Sequence, residues 1–183
     1  MRLLTVALLA AVVSSSILSA AGPDGGPRLR PQDARLTDVL REGIARSATF
    51  KSLVDRIEAS NVIVYAALNP LMKSNLSGTL TWMTHAGDFR YVRESISVEL
   101  SFDQMIATLG HELQHAVEVI EDAAVTDEKS LVALYRRIGH QSDAASPSRW
   151  ETAAAQQAGY RVRRELVAGP ATVSARSSAW SQS

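Results

Sequence analysis

The chain has no cysteine among its 183 residues. That absence excludes disulfides, thiolate zinc sites and a cysteine nucleophile. It also excludes lipid modification at a cysteine behind an N-terminal apolar stretch. An excess of charge of either sign is missing as well, since 19 Lys and Arg balance 19 Asp and Glu. Nothing in that balance draws the protein to nucleic acid, and none is expected as a partner. There is no internal repeat, and no apolar run reaches the length of about 20 residues that spans a bilayer. Histidine is scarce, with four in the chain, so any pair of them at a meaningful spacing stands out. The composition that is present, 46% hydrophobic, is that of one globular domain.

The first residues read as an export signal. Arg2 supplies a positive start, Leu3 to Val13 a short apolar core broken by Thr5, and Ser19-Ala20-Ala21 small residues for cleavage. The expected organisation is a signal peptide at 1–21, a Gly-, Pro- and Arg-rich flexible leader at 22–34, a folded domain at 35–168 and a disordered Ser- and Ala-rich tail at 169–183. The mature protein is then periplasmic or secreted, with no stable membrane span.

Within the domain, Leu36, Val39 and Leu40 begin a helix. Ser47 caps a second, on which Phe50, Leu53, Val54 and Ile57 share one face up to a stop at Ser60-Asn61. Val62-Ile63-Val64-Tyr65 is a buried strand, broken by Asn69-Pro70. Ser77-Gly78 is a turn before a strand from Thr79 to Thr84, and His85 to Asp88 form another turn. Phe89 to Leu100 alternates as a third strand, with Glu94 standing where an apolar residue belongs. Ser101, with Gln104 three residues on, opens a helix running to about Glu121. Ser130 to Ile138 is a helix ended by Gly139, and Arg149 to Val167 is the last helix, ended by Gly169-Pro170. His140 caps carbonyls behind Gly139.

The chemistry concentrates in His111-Glu112-Leu113-Gln114-His115. A spacing of four on a helix stacks both imidazoles on one face, where they reach one ion. Zinc accepts neutral imidazole nitrogen at about 2.0–2.1 Å. Glu112, on the flank of that face, is too far round to be a ligand and is placed to act as general base on a water that the zinc activates.

A His-Glu-x-x-His run on a helix that follows a strand resembles the zincin metallopeptidases. The resemblance spans roughly residues 62–167, and the run is also similar to small exported bacterial proteins carrying His-Glu-Leu-x-His-Ala. It implies an α+β, zincin-like fold: a small antiparallel or mixed sheet packed on the central helix, with further helices. It also implies an edge strand that holds peptide, for which Phe89 to Leu100 is the candidate.

A third ligand is needed, and three carboxylates compete. Glu121 has the metzincin spacing, but the glycine of that pattern is Glu118 here, and no break turns the chain back. Glu118 lies on the same helical face as His115, one turn far for the same ion. Glu151 resembles the gluzincin ligand from a later helix and is preferred. Glu151-Thr152-Ala153-Ala154-Ala155 is similar to a Glu-x-x-Ala-Asp version in which the Asp orients a ligand. That position is Ala155 here, and Glu118 is the candidate to orient a histidine instead. Tyr160 is weighed as an electrophilic donor and read as a core or surface side chain.

The expected function is an exported zinc-dependent metallopeptidase with a peptide or protein substrate, metal ligands His111, His115 and Glu151, and Glu112 as general base. The alternative is a non-catalytic zincin-like protein whose zinc site is closed by protein ligands.

Overall fold

The computed structural model describes residues 26–169 apart from 74 and 142–148. The expected signal peptide, the start of the leader and the tail from 170 lie outside the described residues. Over the described residues the protein is α+β, with five helices and a small mixed sheet. The sheet order is β1 (Leu29–Pro31), β2 (Val62–Asn69), β4 (Phe89–Ser97), β3 (Gly78–Ala86). The first three are parallel, and β3 runs antiparallel to β4 at the edge. Around it lie α1 (Ala34–Arg46), α2 (Ala48–Glu58), α3 (Phe102–Glu121), α4 (Glu128–Ile138) and α5 (Ala153–Ala168), with a two-residue ladder of β5 (His140–Gln141) and β6 (Trp150–Glu151). Among the described residues no helix is long and apolar enough to cross a membrane.

Five expectations change. The leader is not flexible throughout: Leu29 is buried, and β1 pairs with Val64 to Ala66 of β2. The strand before the HExxH helix, β4, is interior, and the sheet edge on that side is β3. His85 lies in β3 opposite Arg90, because the hairpin turn is the two residues Gly87-Asp88, with Gly87 at a φ of 56° that a side chain disfavours. The last helix starts at Ala153 and not at Arg149, because the backbone of 150–151 is committed to the β5–β6 ladder. In that ladder His140 pairs with Glu151 rather than capping α4.

Alternation sets which face is buried. Val62, Val64 and Ala66 of β2 lie in register with Arg90, Val92 and Glu94 of β4, and all six are buried. Together with Phe50, Ile57, Met105, Leu109 and Leu113 from the helices, the apolar members of this face build the core. Each such side chain contributes about 1.5–3 kcal/mol on leaving water.

The helix α3 is fixed at both ends. The Ser101 side chain accepts from Gln104 N, and Gln104 accepts from Ser101 N at 2.9 Å, which satisfies two N-terminal donors. The last turn of α3 has no basic residue of its own. Arg90 of β4 supplies one, donating to the carbonyls of Val119 at 2.6 Å and Asp122 at 2.8 Å. α5 lies closely against α3 because two glycines face the contact. A Cβ on Gly110 would come within 2.8 Å of Val162, and one on Gly159 within 3.1 Å of His111.

Glu94 is the exception within the core. It is fully buried, and neither carboxylate oxygen has a hydrogen-bond partner. Burial, and after it the Glu112 charge, raises its pKa well above the usual carboxylate value. The fold therefore binds this proton more tightly than the unfolded chain does. The associated stability is complete below the unfolded pKa and falls as pH rises toward the folded one, by about 1.4 kcal/mol per pH unit in that window. Glu94→Gln carries no such proton. Its stability advantage over the wild type is expected to widen between pH 5 and pH 7 in paired urea titrations; a gap that stays constant would mean an ionised, partnered Glu94.

Candidate metal centre

His111 and His115 stand four apart on α3, with ring centroids 5.1 Å apart. Glu151 reaches them from β6, directly before α5. Its Oε1 is 3.4 Å from His111 Nε2 and 3.8 Å from His115 Nε2. One ligand atom from each of the three residues lies within 4.8 Å of the others. Donors placed tetrahedrally about a zinc ion, with bonds near 2.0–2.1 Å, are separated by about 3.3–3.4 Å. Two imidazoles and a carboxylate at this spacing fit such an ion and leave one coordination position without a protein donor. His115 is almost fully buried, whereas the His111 and Glu151 side chains keep 22% and 19% exposure, so the cluster opens to solvent on their side.

The other carboxylates are engaged elsewhere. Glu118 Oε2 bonds His115 Nδ1 at 2.8 Å, while its Oε1 accepts from the Thr152 hydroxyl at 2.5 Å. It therefore sits on the side of the His115 ring opposite the cluster and points the free Nε2 toward Glu151. Glu121 lies at the surface and pairs with Arg56 at 2.5 Å. Tyr160 is 59% exposed, with Arg164 over its ring.

Electrostatics separates the groups. Burial, then the neighbouring His115, lowers the His111 pKa to about 4, against a backbone hydrogen bond to Ala155 that raises it. His111 is thus neutral near pH 7, the state in which a ring nitrogen can hold a metal. Burial also depresses His115, but the Glu118 hydrogen bond and the charges of Glu112, Glu118 and Glu151 outweigh it and raise its pKa. Burial pushes Glu112 up to about 7; His115 opposes this, and Glu151 and Glu118 add to it.

Three neighbours of the site carry no signal in the motif. Gly78, at the start of β3, has no room for a side chain: a Cβ there would collide with Glu112 Oε1. Tyr135 of α4 presents its ring edge-on to His115, with centroids 5.4 Å apart. Burial and four surrounding glutamates raise its phenol pKa well above the ordinary value, so it remains neutral. Thr152, 2% exposed, is the N-cap of α5. Only its place beside Glu151 in the sequence marks it.

Compared with known proteins, the chain matches no family model, no curated protein and no solved structure.

Proposed function

We propose that the protein is an exported zinc-dependent peptidase, with His111, His115 and Glu151 as metal ligands and Glu112 as general base. The observation that carries this reading is the convergence of two imidazole Nε2 atoms and one carboxylate oxygen at 3.4–3.8 Å. A zinc ion held by these three residues would supply Lewis-acid polarisation of a scissile carbonyl and would lower the pKa of a water. Glu112 follows the first ligand directly and takes the proton of the attacking water, then delivers it to the leaving amine.

A peptide substrate is favoured by the place of β3. The strand ends the sheet, and its first residue, Gly78, touches Glu112. An extended peptide added along that edge runs past the general base. Export rests on Arg2, the apolar stretch from Leu3 to Val13 and the small residues Ser19 to Ala21.

The test is digestion of a mixed peptide library by the zinc-loaded protein, read by mass spectrometry. Cleavage that a chelator abolishes and zinc restores is expected. Stoichiometric zinc with no cleavage at high protein concentration would replace the peptidase with a zinc-binding protein that does no hydrolysis.

Gly78→Ala gives a second expected outcome. The added methyl displaces the Glu112 carboxylate while leaving the three ligands alone. Turnover is expected to fall about 100-fold, the scale of a misplacement of about 1 Å, with zinc affinity within about threefold of wild type. Equal losses of turnover and zinc would point to a collapsed site rather than a displaced base.

A further inference from the structure

Thr152 makes two contacts that lead to the cluster and one that caps α5. Its backbone N–H donates to Glu151 Oε1 at 2.9 Å, the same oxygen that faces both histidines. Its hydroxyl donates to Glu118 Oε1 at 2.5 Å, and Glu118 Oε2 holds His115 Nδ1 at 2.8 Å. The same hydroxyl accepts from Ala155 N at 3.1 Å, in the first turn of α5. The hydroxyl thus donates its one proton to Glu118 and accepts from Ala155 N, which fixes its orientation. Glu151 is thus one hydrogen bond from Thr152, and His115 two.

We propose that Thr152 is a positioning residue that sets the ligand geometry before the ion arrives, an inference that rests on the zinc reading above. Its hydroxyl fixes the Glu118 carboxylate. Glu118 in turn selects the His115 tautomer with the proton on Nδ1 and the lone pair on Nε2. Its capping bond fixes the first turn of α5, which follows Glu151 directly. A helix cap alone predicts only a loss of stability on substitution. A positioning role predicts a loss of zinc affinity that passes through Glu118.

Zinc affinity is measured by competition with a chromophoric chelator for wild type, Thr152→Ser, Thr152→Val, Glu118→Gln and the double variant Thr152→Val/Glu118→Gln. Thr152→Val is expected to weaken zinc binding about 10- to 100-fold and Thr152→Ser to restore it to within about threefold. The double variant is expected to bind no more weakly than the weaker single variant. Additive losses, or Thr152→Val at wild-type affinity, would overturn the proposal.

A second readout uses the metal-free wild type and does not depend on any variant folding. A long-range proton–nitrogen NMR spectrum at pH 8 should show His115 protonated at Nδ1, and a neutral ring protonated at Nε2 alone would also overturn it. Failure of the zinc reading is distinguishable: wild type then takes up no zinc, while the tautomer of His115 still decides for or against the relay.

Discussion

Glu112→Gln is expected to remove peptide hydrolysis and leave the metal in place. The amide has nearly the same volume as the carboxylate, in a position that is 4% exposed and packed against Gly78, so the fold has nothing to repack. What the variant loses is the ability to accept a proton. General base catalysis of this kind is worth about 10²–10⁴ in rate, and kcat is expected to fall by that factor. Zinc affinity should stay within about threefold, because Glu112 contributes no ligand atom to the cluster. Steady-state cleavage of a fluorogenic peptide, run beside chelator competition on the same preparations, reads both quantities. If the variant retains more than a tenth of the wild-type kcat, Glu112 is not the base.

Glu151→Ala carries the second large effect. His111 and His115 then face the ion without a carboxylate, and two neutral imidazoles do not hold zinc with the strength of three donors. The affinity is expected to fall at least 100-fold, beyond the upper end of what removal of an outer hydrogen-bonding group costs. Glu121→Gln is the matched control. Its carboxylate is spent on Arg56 at the surface, and zinc affinity should not change. Were Glu121→Gln the damaging change and Glu151→Ala the harmless one, the third donor would be misassigned.

The difference between these two carboxylates shows what the sequence contained. The spacing of His111 and His115 is local, and a helix capped by Ser101 and Gln104 converts it directly into a shared face. Glu151 is not local. Spacing alone does not separate it from Glu118 and Glu121, and only a resemblance favours it; the β5–β6 ladder, two residues on each strand, is what carries it to the helix. Strands so short leave no periodicity to read, which is why the pattern predicts a start for α5 four residues before Ala153.

Glu94 looked like a fault in an alternating strand and is a buried carboxyl on the face that packs against the helices, obeying the alternation with the wrong polarity. Tyr135 shares a face with Leu131 and Leu134, so its pattern is that of any core tyrosine, and only tertiary packing brings it to His115. Sheet order is likewise a tertiary fact. Nothing in the alternation of Phe89 to Leu100 reveals that β2 covers one side of it and β3 the other.

The central claim is that one zinc ion is held by two imidazoles and one carboxylate. X-ray absorption at the zinc edge, on protein purified without added chelator and quantified by elemental analysis, tests it most directly. One zinc per chain is predicted, in a four-coordinate nitrogen and oxygen shell at about 2.0–2.1 Å with the scattering signature of two imidazoles. Protein that carries no stoichiometric metal even after zinc loading, or a shell without imidazole, would contradict it.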